Sequence, residues 1–170
     1  VDMETVQLSS AGNIDCDGDG MDEFLVLGEG IKHEGGSLNY YVLFGVVEYD
    51  PGSNSLKEIY TFNVDSSESL EDGSSPFYII GAFGGDIDND GQEEAFDVYS
   101  YGDFNALYLE SYVDKYEFVG GQIENEWGKI ENFYATTATG GDFNGDDRAE
   151  FALGGVEIDP DKGEVFTSLH

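Results

Sequence analysis

Apolar and polar residues alternate along this chain with the period of two that marks half-buried strands, in runs broken by Gly, Asn and Asp. The longest run, residues 38–49, is so rich in aromatic and β-branched side chains that both faces of the predicted strand are expected to be covered. It turns through Asp50, Pro51, Gly52, Ser53 and Asn54 into a second strand at 56–64. Two similar arms follow. One runs 105–113, turns at Asp114-Lys115 and returns over 116–119; the other runs 156–158, turns at 159–163 and returns over 164–168. Ahead of each arm stand two further strands with an acidic stretch between them: 4–11 and 23–28, 77–83 and 94–101, 133–139 and 150–154. Val6 and Leu8 fall on one face of the first. The pattern predicts an all-β chain of three units, about 4–75, 76–131 and 132–170, each of four antiparallel strands. Helical periodicity is missing except for one turn near 124–127.

The acidic stretches are one motif written three times, beginning at 15, 86 and 142 and so recurring after 71 and 56 residues. Oxygen-bearing side chains hold positions one, three and five: Asp15, Asp17 and Asp19; Asp86, Asp88 and Asp90; Asp142, Asn144 and Asp146. Position nine is Glu23, Glu94 or Glu150. Alternate residues of a tight loop face one centre, so this spacing gathers oxygens around a point. Hard cations such as Ca²⁺ take six to eight oxygens at roughly 2.3–2.6 Å. The backbone carbonyls of Met21, Gln92 and Arg148 at position seven would complete each set, for up to three Ca²⁺ ions. Gly20 and Gly91 supply the sharp turn at position six, where the third loop has Asp147. Three acidic surface turns would use the same residues, but three copies in register favour cations. The oxygens approach saturation in each loop, which suits a structural ion better than one with an open position.

An EF-hand carries its bidentate Glu at position twelve with a helix after it; here the acid falls at nine and a strand follows. The Asp-Gly-Asp-Gly-Met-Asp-Glu wording of residues 17–23 resembles the FG-GAP or VCBS-type calcium repeats of integrin-like β-propellers and secreted bacterial proteins. The resemblance covers most of the chain through its three repeats and implies calcium-stabilised, blade-like units placed outside the cell. The family's Phe-Gly…Gly-Ala-Pro signature is echoed only by residues 81–85. Closed propellers usually take four to eight blades. Three units leave three resolutions open: a piece of a larger propeller, a ring closed by two copies, or a curved stack or sandwich.

A length of 170 residues suits one domain, here taken as 1–170, and 24 glycines with 14% aromatics suit many turns and strands. The balance of 6 basic to 37 acidic residues, a formal charge of −31, disfavours nucleic acid and anionic membrane surfaces as partners. The loops hold 14 of the acids, and three divalent cations would still leave −25, so the remainder is a solvating surface. No apolar run reaches the roughly 20 residues that cross a membrane. The chain begins at Val1 without a basic-then-apolar leader and is expected to be a mature form or one trimmed of its signal. Cys16 stands alone, which rules out an intrachain disulfide, and is expected to be a small filler.

Little else reads as chemistry. His33, in a Gly-rich loop expected at 28–36, and His170 do not sit in a nucleophile turn, and zinc ligands are scarce. The densest carboxylates are those given to cations, which makes them poor acid catalysts. Trp127 lies in a polar stretch and is a candidate sugar-stacking ring, while Tyr99, Tyr101, Phe104 and Tyr108 alternate as core or cross-strand aromatics. The expectation is a non-enzymatic, secreted or cell-surface module that binds a protein or a glycan in adhesion. The alternative is a portion of a polysaccharide-degrading enzyme, since similar loops decorate some polysaccharide lyase propellers.

Overall fold

The computed structural model describes residues 3–70, 73–103, 108–119, 122–159, 162 and 164–169. Among these residues eleven strands form three antiparallel sheets, and no helix is present. The first sheet is β1 (Thr5–Ile14), β2 (Glu23–Glu34), β3 (Ser37–Asp50) and β4 (Ser55–Glu68), paired in that order. The second is β5 (Phe77–Gly85), β6 (Glu94–Asp103), β7 (Tyr108–Val119) and β8 (Gln122–Glu131). The third is β9 (Phe133–Gly141), β10 (Glu150–Asp159) and β11 (Glu164–Leu169). Each sheet pairs strands adjacent in sequence, so its order is set by hairpins.

The alternation of side chains turns each sheet into a two-faced layer, and the second sheet is covered on both faces. Toward the first sheet it presents Ala95, Tyr99, Tyr116 and Phe118, packed with Leu25, Leu27, Val42, Phe44 and Val46. The Phe44 and Tyr116 rings stack there at 4.5 Å. Toward the third sheet it presents Val98, which packs with Phe133, Ala135 and Leu153. Phe96 on that side meets Phe83 and Phe151 at 5.5 and 5.9 Å. A buried polar seam accompanies these contacts. Ser111 Oγ donates to the Phe133 carbonyl at 3.0 Å and accepts from the Ala135 amide at 2.8 Å, and Ser100 Oγ lies 2.8 Å from Ser111 Oγ.

The leading edge strands gather at one side, β5 between β1 and β9. Glycine permits that approach: a Cβ on Gly12 would lie 2.4 Å from the Ala82 carbonyl oxygen, and one on Gly84 would lie 2.5 Å from that of Asn13. The stack is open at both ends. On the uncovered side of the first sheet Val6, Leu8 and Phe24 remain 52, 63 and 46% exposed.

Several expectations are corrected. The third sheet has three strands rather than four, because Gly154-Gly155 is absorbed as a register shift inside a continuous β10 instead of ending a strand. Asp114-Lys115 is not a turn but the middle of β7, and Asp114 is buried. The helical turn near 124–127 is part of β8. The Gly-rich stretch 28–36 is largely strand: β2 runs on to Glu34, and only Gly35 and Gly36, at φ 62° and 97°, make the hairpin turn. His33 thus sits on β2, its Nδ1 2.9 Å from Glu4 Oε2. Tyr99 is buried, but Tyr108 is 49% exposed, and Phe104 and His170 lie outside the described residues. Among the described residues, no helix is long and apolar enough to cross a membrane.

Candidate metal centres

Each acidic loop joins the first two strands of its sheet, and the three share the same bonds at positions one, five and nine, while the position-five amide bonds position three in the first two loops only. The carboxylate at position one accepts backbone amides from positions four, five and six. Asp15 accepts from Gly18, Asp19 and Gly20 at 2.8, 3.1 and 2.9 Å. Asp86 accepts from Asn89, Asp90 and Gly91 at 2.6, 3.2 and 2.9 Å. Asp142 accepts from Gly145, Asp146 and Asp147 at 2.6, 3.2 and 3.0 Å. These amides, Gly145 foremost, hold the Asp142 carboxyl below the usual carboxylate range. At position five Asp19, Asp90 and Asp146 each accept from the amide of position seven, Met21, Gln92 or Arg148.

Position nine closes the loop from the following strand. Glu23, Glu94 and Glu150 each take the amide of position two on Oε2, from Cys16, Ile87 and Phe143 at 3.0, 2.9 and 2.9 Å. Two residues per loop adopt positive φ: Gly18 and Gly20, Asn89 and Gly91, Gly145 and Asp147. The position-six turn had a sequence signal in Gly20 and Gly91. The position-four turn did not stand out, because Asn89 serves there as well as glycine does. Asp147, at φ 66°, makes the same turn with a side chain in the left-handed region.

The loops bring carboxylates together at metal-ligand range. Ligand oxygens of Asp15, Asp17 and Asp19 lie within 4.8 Å of one another, as do those of Asp86, Asp88 and Asp90, and those of Asp142, Asp146 and Glu150. Asn144 joins the third group through Nδ2, which donates to Glu150 Oε1 at 2.6 Å. The donor set is all oxygen, which fits a hard cation. Glu94 adds a separate indication. Its side chain is buried, Oε2 is occupied by the Ile87 amide, and Oε1 is buried with no hydrogen-bond partner. Burial, with Asp88 and Asp86 nearby, raises its pKa. A buried carboxylate oxygen without a donor is costly unless a cation meets it. Met21 is 65% exposed and Arg148 is exposed, so their side chains stand off, while their amides bond into the loop at Asp19 and Asp146.

The loops are also joined to one another. The Asp15 amide donates to Glu93 Oε2 at 3.1 Å, and the Ala149 amide donates to the Asp86 carbonyl at 2.7 Å. In both joints position one of a loop meets position eight of the next, a contact the repeat spacing alone did not reveal. Cys16 packs against the core between the first two sheets, and burial pushes its thiol up to about 12. Trp127 lies on β8 opposite Asp114 in register, and its side chain lies outside the described residues.

No protein-family model matches the chain, and no curated protein matches it by sequence.

Proposed function

We propose that this chain is a calcium-stabilised binding module of the FG-GAP or VCBS kind, three blade-like units of an arc, working outside the cell and without catalysis. The observation that carries this reading is the set of hydrogen bonds that the three loops share at positions one, five and nine, with the orphaned Glu94 Oε1 at the centre of the series. Asp15, Asp17, Asp19 and Glu23 would hold one Ca²⁺, with Asp86, Asp88, Asp90 and Glu94 holding a second. Asp142, Asn144, Asp146 and Glu150 would hold a third, and the carbonyls of Met21, Gln92 and Arg148 would join them. The ions neutralise carboxylates that otherwise repel and fix the leading edge strands, whose loops touch at Glu93 and Ala149. The bare face around Val6, Leu8 and Phe24 supports an arc that a second copy or further units of a parent chain complete. Its partner would be a protein or glycan at a cell surface.

The test is a calorimetric titration of the metal-free chain with CaCl₂, followed by glycan-array and cell-surface binding with the loaded form. Calcium uptake at three sites with surface or glycan binding supports the module. Depolymerisation of acidic polysaccharides would replace it with the lyase reading. The absence of calcium uptake removes the metal.

A further inference from the structure

One cluster of carboxylates has no place in the loops. Asp97 on β6 and Asp114 on β7 are directly opposed across the ladder, and both are buried. They lie in the seam between the first and second sheets, among the residues that carry it. Tyr116, stacked on Phe44 of β3, donates its hydroxyl to Asp97 Oδ2 at 2.7 Å, and Tyr99 reaches Asp65 Oδ2 of β4 at 3.4 Å. Asp97 Oδ1 is buried with no hydrogen-bond partner.

Among the described residues, the groups that bear on the pair are Asp65 from β4, Tyr99 from β6 and Tyr116 from β7. None is a cation. Among the described residues, neither Asp97 nor Asp114 forms an ion pair. Lys115 pairs with Glu117 and Glu126, and Lys129 with Glu110 and Glu131. Directly opposed like charges destabilise a ladder, and two buried carboxylates without a cation cannot both stay ionised.

We propose that Asp97 and Asp114 hold one proton between them at neutral pH, and that this proton is a pH-sensitive latch on the seam between the first and second sheets. The pKa directions agree. Burial, then Asp114, pushes Asp97 well above the usual carboxylate range, and burial, then Asp65, brings Asp114 to about 6. Such a pair titrates as a unit. The sign follows from linkage. The folded pair keeps a proton that the unfolded chain has lost above roughly pH 4, so its stabilisation is full in acid. It falls as pH rises through the folded values. Complete ionisation would place two charges beneath the Phe44–Tyr116 stack and loosen β3 from β7.

The test is the melting midpoint of the wild type and of Asp97→Asn, in chelator, from pH 4.5 to 8.5. Asparagine keeps an acceptor for Tyr116 and carries no charge. The variant-minus-wild-type difference should move upward by roughly 5 °C across that range, in line with the midpoint shifts of chains this size. A difference independent of pH would overturn the latch. Asp114→Asn, read the same way, covers a failure of the first variant to fold. A measurement on the unaltered protein stands apart from both variants: unfolding at pH 7 in weak buffer should release about one proton per chain, and release of none would overturn the pairing.

Discussion

Replacing Gly12 with alanine tests the stacking of the sheets where backbone meets backbone. An added Cβ would lie 2.4 Å from the Ala82 carbonyl oxygen, 3.0 Å from the Ala82 carbonyl carbon and 3.1 Å from Phe83 Cα. All three atoms are backbone of β5, which is held in register by β6, so no side chain can swing aside. Reaching an ordinary contact of 3.4 Å requires β1 and β5 to part by about 1 Å. That displacement also strains the 3.1 Å bond from the Asp15 amide to Glu93 Oε2, three residues on and just past the end of β1. Overpacking of this kind costs about 3 kcal/mol, or roughly 6–12 °C of melting midpoint for a chain of this size. Gly128→Ala is the control, because its nearest neighbour, the Val113 carbonyl oxygen, is 3.7 Å away. Removing the freedom of that glycine should raise stability by about 0.4–1 kcal/mol. Thermal melting by circular dichroism reads both. Equal midpoints for the two variants would refute the backbone-to-backbone contact of β1 with β5.

Glu94→Gln should act with opposite signs in two conditions. In chelator it relieves a buried charge and melts above the wild type. In excess calcium it melts below, since a site occupied at 100 times its dissociation constant adds roughly 2.7 kcal/mol; a shift of one sign in both would remove the metal role of Glu94. Asp147→Gly should stabilise the third loop by about 1 kcal/mol, because φ 66° costs a side-chain-bearing residue and not glycine. An unchanged denaturant midpoint would deny that strain. Cys16, with its thiol raised to about 12, should react with iodoacetamide at neutral pH only as fast as the chain opens. Reaction at the rate of a free thiol, followed by mass spectrometry, would contradict its packing between the first two sheets.

The ladder was legible where alternation was strong and the turn residues unambiguous. The hairpin at Asp50–Asn54 forms as its residues require, with Asp50 Oδ1 accepting the Gly52 amide at 2.8 Å and Asn54 at φ 53°. The acidic loops were legible because each position has a distinct geometric duty. Elsewhere local chemistry misled. Asp114-Lys115 has turn composition, yet β7 passes straight through it, since burial of Tyr112, Tyr116 and Phe118 against the first sheet outweighs a local preference. Gly154-Gly155 looks like a strand break, but the ladder absorbs it as a bulge. The carboxylate pair was hidden for a different reason. Asp97 stood as a lone acid in the run 95–101, and only cross-strand register, which no single segment encodes, sets Asp114 opposite it.

Heating the chain with added calcium and again with a chelator, at several protein concentrations, addresses the metal reading most directly. The account predicts a midpoint that climbs with free calcium and falls back in the chelator. A midpoint indifferent to both would contradict it, leaving three acidic turns that hold their shape by backbone hydrogen bonds alone.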